Sequence, residues 1–241
     1  MEINEFGDAS GQVVLIQPVG DHEIDLIENE IDLIRGDTEI SFKLAAFKIN
    51  DWNRELSPWN APAVFGKDNF GDNAASTLNE IMKYCKDEKK IYYIGGYSLA
   101  GLFALWASYQ TDMFRGIAAA SPSMWFPGFT DYMKDHNIKS SNVYLSLGDK
   151  EEKTRNPVMA EVGNKLCEAY GLLKDKGINC TLEWNKGNHF KDADLRTAKG
   201  FLWVMKNSSE SYAVKDMKEK NKEYSNQSRD GIMDEGYKPF Q

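Results

Sequence analysis

Cysteine, histidine and positive charge are all in short supply in this 241-residue chain, and each shortage excludes something. Three cysteines, Cys85, Cys167 and Cys180, are too few and too scattered for a disulfide framework, and none belongs to a Cys-x-x-Cys pair. They read as reduced thiols. Three histidines, His22, His136 and His189, show no ligand spacing, so neither a metal nor another cofactor is expected. Lysine and arginine number 29 against 37 aspartates and glutamates, a net charge of −8 that repels phosphate backbones and anionic lipid surfaces. Nucleic acid and membrane are therefore not expected as partners. No apolar run approaches the roughly 18 residues of a membrane span, and residues 1–11 have neither the basic start nor the apolar stretch of a secretory signal. A cytoplasmic location is the expectation, with a homo-oligomer left open. No internal repeat is present.

Against these absences stands a chain with 41% hydrophobic side chains, enough to bury one large core. Short apolar runs alternate with segments of helical period, the pattern of parallel strands joined by crossover helices. The runs are Val13 to Gln17, Phe42 to Ile49, Ile91 to Ile94, Gly116 to Ala120, Val143 to Leu147 and Cys180 to Trp184. Between the first two, Ile24, Ile27, Ile31 and Ile34 mark the apolar face of a helix that Gly36 ends. Further helices fit Ala74 to Lys86, Leu99 to Tyr109, Pro157 to Lys174 and Ala193 to Lys206. The class is α/β, three layers, with a mainly parallel sheet of about six strands covered on both faces. One domain over 1–206 is expected, then a polar tail over 207–241. The aromatic-rich loop from Asn50 to Asn73 is long enough to suggest that it lines a site, and 122–137 suits a small cap.

Chemistry concentrates at three strand ends. Gly96-Tyr97-Ser98-Leu99-Ala100-Gly101 follows a strand and opens a helix, the setting of a nucleophile elbow in which the positions two before and two after the serine must be small. A serine hydroxyl attacks at neutral pH only when an imidazole takes its proton. His189, directly after the last strand and before the last helix, is placed for that task; His22 at the first helix and His136 among charges are not. The acid that orients the imidazole should follow the strand ending at Leu147. There Asp149, Glu151 and Glu152 compete, with Glu151 preferred for its reach. An oxyanion needs backbone N–H donors. Leu99 is one expected donor, and Val19, in the turn after the first strand, is the other because Pro18 has no N–H, with Gly20 as the alternative. Trp52, Trp59, Trp125 and Phe126 are candidate walls of an apolar substrate pocket, with core packing as their alternative role.

With these residues in place, the chain resembles the putative-esterase branch of the α/β-hydrolases, which includes siderophore esterases of the enterobactin type, esterase D and feruloyl esterases. The resemblance rests on the elbow from Gly96 to Leu102, on Ala120-Ser121-Pro122-Ser123-Met124-Trp125-Phe126, on Gly148 with Glu151, and on Gly187-Asn188-His189-Phe190. The segment Asp51 to Trp59 is similar to one in small bacterial members. The resemblance implies the α/β-hydrolase fold and hydrolysis of a small-molecule carboxylic ester through an acyl-enzyme. Thioesterase, acyltransferase or peptidase chemistry with the same residues, and a non-catalytic ligand-binding role, are the alternatives. Two departures stand out: the antiparallel strands that precede the parallel set in larger relatives are not apparent, and the elbow ends in Ala100.

Overall fold

A computed structural model describes residues 1–208, of which Met1–Met205 form one compact unit. The tail expected over 207–241 lies almost wholly outside the described residues. The chain runs β1 (Ile3–Gly7), β2 (Val13–Val19), α1 (Asp21–Ile24), α2 (Ile27–Gly36), β3 (Phe42–Lys48), α3 (Trp52–Glu55), α4 (Ala74–Tyr84) and β4 (Ile91–Tyr97). It continues through α5 (Leu99–Gln110), β5 (Phe114–Ala120), α6 (Phe129–Asp135), β6 (Asn142–Gly148), α7 (Pro157–Ala160), α8 (Val162–Asp175) and β7 (Asn179–Asn185). A last helix, α9, begins at 193.

Seven strands among the described residues make one sheet in the order β1-β3-β2-β4-β5-β6-β7. All six expected strands are present, and they are parallel. The addition is β1, which pairs antiparallel with β3, Ile3 opposite Phe47. This corrects the expectation that no antiparallel strand precedes the parallel set. Its five residues alternate between exposed and half-buried at the sheet edge, so it carries no apolar run. By contrast, β2 and β6 are buried at every position, as strands covered on both faces must be.

Alternation along the strands sends successive side chains to two separate cores. Val13, Leu15 and Leu44 pack with Ile27, Ile31 and Ile34 of α2 and with Phe201 and Val204 of α9. Val14, Ile16 and Ala45 face the other way, toward Leu78 of α4, Phe103 of α5, Phe129 of α6 and Leu166 of α8. Helix α5 is buried from Leu99 to Tyr109, so it is apolar all round. Segment 122–137 is less a cap than part of this second core, since α6 buries Phe129 and Met133 completely. The helix expected over 157–174 is interrupted at Glu161, where ψ is 0°; beyond it Gly163 makes room for the Glu152 side chain against α8.

One buried acid breaks the apolar pattern. Glu30 of α2 is 2% exposed and accepts a hydrogen bond from the Gln17 amide at 3.1 Å. Burial pushes its carboxyl up to about 8. A group whose folded pKa lies above its unfolded value stabilises fully below the unfolded value, near 4.5, and progressively less as pH rises to about 8. Glu30→Gln should therefore leave Tm unchanged near pH 4 and raise it at pH 8 by about 5–10 °C, corresponding to a few kcal/mol. Thermal unfolding of both proteins at the two pH values checks this; equal Tm at pH 8 contradicts it.

Candidate active site

The chain goes from β2 out to β3 and then back across β2 to β4, so a crevice opens between the carboxyl ends of β2 and β4. Such switch points are where open α/β sheets bind ligands. Ser98 stands at the end of β4 with φ 57° and ψ −121°, a strained conformation for a side-chain-bearing residue. Backbone bonds hold it there: its N–H donates to the Ala120 carbonyl at 3.1 Å, and its own carbonyl accepts from the N–H groups of Leu102 and Ser123. The elbow is as tight as the motif requires. A Cβ on Gly96 would come within 2.7 Å of the Ala100 methyl, so alanine is tolerated at 100 only because 96 is glycine.

Ser98 Oγ lies 3.0 Å from His189 Nε2, and His189 Nδ1 lies 2.7 Å from Glu151 Oε2. With Nδ1–H donating to the carboxylate, Nε2 is left to accept the serine proton, a tautomer assigned from the network. Of the three competing acids, Glu151 is the one at the imidazole. Asp149 instead accepts from the Gly187 N–H at 2.8 Å, and Glu152 lies against Gly163. The Glu151 side chain is 3% exposed. Burial raises its pKa, but hydrogen bonds from His189, the Gly148 N–H and Ser121 outweigh this and hold the carboxyl below its ordinary value. His22 is exposed on α1, and the exposed His136 stacks on Tyr132.

No family model matches the chain, and no curated protein matches it. Solved structures do. A siderophore hydrolase from Aspergillus nidulans superposes with a TM-score of 0.61 over 85% of this chain and 86% of that one, at 20% identity. An enterobactin esterase from Shigella flexneri gives 0.58 over 85% of this chain and 55% of its own, at 13% identity. A ferulic acid esterase gives 0.53 over 80% and 84%, also at 13%. The chain has the α/β-hydrolase fold.

Within the α/β-hydrolase fold the remaining expected residues separate. Leu99 is the first residue of α5, where an N–H has no intrahelical acceptor, as an oxyanion donor requires. Val19 fits less well. Its carbonyl accepts from Ile49 beyond β3, and an extended residue turns N–H and C=O to the same side, so its N–H faces β3. The next N–H, on Gly20, turns to the β4 side and donates to the Glu23 carboxylate at 3.0 Å. The geometry therefore favours the alternative donor, Gly20.

The four aromatics divide as well. Trp125 walls a cavity of about 20 Å³ with Pro122, Met159 and Val162 against Glu151 and His189. Trp52 lies beside Gly20 and, with Phe65, lines an open cleft of about 770 Å³ that also presents Asn50, Asn60, Asp68 and Asp72. The Phe65 ring is 5.8 Å from Trp125, which brings this cleft alongside the Trp125 cavity. Trp59 and Phe126 are corrections. Trp59 donates its indole N–H to the Pro127 carbonyl and packs on Phe126, Phe129 and Tyr132, while Phe126 is 2% exposed in the core.

Four further residues complete the site. Ser123 Oγ is 3.3 Å from the Ser98 hydroxyl. Ser121, itself at φ 41°, donates to Glu151 Oε1 at 2.8 Å. Tyr97 donates to the His189 carbonyl at 2.6 Å, and burial pushes its phenol up to about 12. Arg196 Nη1 lies 2.8 Å from Glu151 Oε1. Ser121 and Ser123 sit in the Ala120–Phe126 motif and Tyr97 in the elbow; a lone charge within an apolar helical stripe is the only sequence signal for Arg196. Among the described residues, no group of three or more His, Cys, Asp or Glu side chains could hold a metal ion, and no helix is long and apolar enough to cross a membrane.

Proposed function

We propose that this protein is a serine hydrolase that cleaves carboxylic esters of small molecules through an acyl-enzyme. The observation that carries the proposal is the continuous chain of contacts from Ser98 to His189, 3.0 Å, and from His189 to Glu151, 2.7 Å, rooted on a strained elbow. Ser98 Oγ attacks the acyl carbon as His189 Nε2 takes its proton, and Glu151 stabilises the imidazolium that forms. The charge that develops on the carbonyl oxygen meets the N–H of Leu99, and that of Gly20 once the Glu23 carboxylate moves aside. His189 then returns its proton to the departing alcohol. Water, deprotonated by the same imidazole, attacks the acyl-enzyme, releases the acid and restores Ser98. The net charge of −8 suits a small-molecule substrate better than a polyanion. That solved structures of the same fold include hydrolases named for siderophore, enterobactin and ferulic acid adds support at the level of fold.

The reaction class is tested with matched p-nitrophenyl esters, thiophenyl thioesters and p-nitroanilides of increasing acyl length. Esters should give the highest kcat/KM, with an initial burst wherever deacylation is slower than acylation. Faster thioester or amide turnover would reassign the class. No turnover by folded protein, with a ligand still raising Tm, would favour a binding role.

A further inference from the structure

Arg196 is the largest side chain completely buried in the described residues, an expensive place for a permanent cation. Its Nη1 lies within hydrogen-bonding distance of Glu151 Oε1 at 2.8 Å, Ser121 Oγ at 3.0 Å and Tyr97 Oη at 3.0 Å. Its Nη2 donates to the Asn188 carbonyl at 3.0 Å. These partners belong to the ends of β4 and β5 and to the loops after β6 and β7, so one side chain of α9 ties together the segments that carry Ser98, Glu151 and His189. The fit leaves no slack. A Cβ on Gly148 would come within 3.0 Å of both terminal guanidinium nitrogens and 2.4 Å of the Gly187 carbonyl.

The chemistry of the pair follows from how the two carboxylate oxygens are used. Oε1 of Glu151 is filled by Arg196, Ser121 and the Gly148 N–H; Oε2 is left to His189. A carboxylate anchored on one oxygen cannot rotate away from the imidazole. The anchor is also a cation, so the attraction of Glu151 for an imidazolium is shared with a charge that never leaves. Other charged groups nearby are engaged elsewhere: Asp149 with the Gly187 N–H, Glu152 against Gly163 of α8, and Lys191 with Asp192 at 3.8 Å. Tyr97 of β4 also faces the pair, and burial keeps its phenol neutral.

We propose that Arg196 is the positioning residue of the site: it fixes Glu151 so that Oε2 meets His189 Nδ1. The proposal rests on the hydrolase reading above. Its test is kcat and KM of Arg196→Met and Arg196→Lys on p-nitrophenyl acetate, with Tm and the hydrogen-bonded His189 Nδ1–H proton resonance recorded by NMR in the same proteins. Arg196→Met should lose at least about tenfold in kcat, keep KM within about twofold, and lose the downfield Nδ1–H resonance of the imidazole bonded to Glu151. Arg196→Lys should keep the resonance but still lose kcat, because an ammonium cannot serve Glu151 and Asn188 together. A merely structural role would lower Tm without changing kcat or the resonance. Unchanged kcat and resonance in folded Arg196→Met would overturn the proposal. If that variant does not fold, full kcat in Arg196→Lys would do the same. If wild type hydrolyses no ester, the hydrolase reading fails, and the NMR resonance still decides whether Arg196 positions Glu151 on His189.

Discussion

Ser98→Ala lowers kcat/KM on p-nitrophenyl acetate by at least about 10⁴-fold, because without Oγ no acyl-enzyme forms and only the backbone donors and water remain. The fold should survive intact. What holds the elbow is backbone bonding to Ala120, Leu102 and Ser123, together with the tight approach of Gly96 and Ala100, and alanine changes neither. Adding His189→Ala to Ser98→Ala should cost little more, since the two residues act as a unit. Steady-state kinetics of the two single variants and the double variant check this. Independent, multiplicative losses would mean that His189 does not act through Ser98.

Glu151→Gln should cost activity and stability together. A glutamine keeps the shape but not the charge, so the imidazolium loses its counter-ion and the Nδ1–H its best acceptor; a fall of about 10³–10⁴-fold in kcat is expected. The same change leaves the Arg196 guanidinium buried without its carboxylate, and breaking a buried pair in this way costs about 3–5 kcal/mol, or about 10 °C in Tm. Asp149→Asn and Glu152→Gln, whose carboxylates do not reach His189, should leave kcat within a few-fold of wild type. The linkage has a definite sign. The folded carboxyl of Glu151 is held below its ordinary value, so its contribution is fully present above about pH 4.5 and is lost as pH falls through the folded value.

The parallel core of this fold was legible because each strand is buried on both faces and so writes a continuous apolar run. Strand β1 was not, for the opposite reason: Asn4 and Glu5 sit on an edge that pairs on one side only. Ser98 and His189, which the structure brings within 3.0 Å, could be picked out from position, each following a strand and preceding a helix. Glu151 could be preferred among three acids for its reach, while Asp149 and Glu152 stayed open because reach depends on how the loop after Gly148 folds back onto Gly187. Val19 over Gly20 was a choice about which way an N–H turns, and pairing with β3 decides that only in three dimensions. Trp59 and Phe126 show the limit of reading aromatics: composition marks them as large and apolar, while the structure puts Phe126 in the core and packs the half-buried Trp59 against it. Arg196 had one faint mark, a charge one turn before Gly200 on the stripe that continues through Val204 toward the sheet.

The central claim is that Ser98 is a nucleophile activated by His189, and covalent capture tests it most directly. Folded protein treated with a fluorophosphonate probe should gain one adduct mass, located by peptide mass spectrometry on Ser98. The labelling rate should fall in His189→Ala, and no adduct should form in Ser98→Ala. Labelling of another residue, or none in protein shown to be folded, would contradict the account.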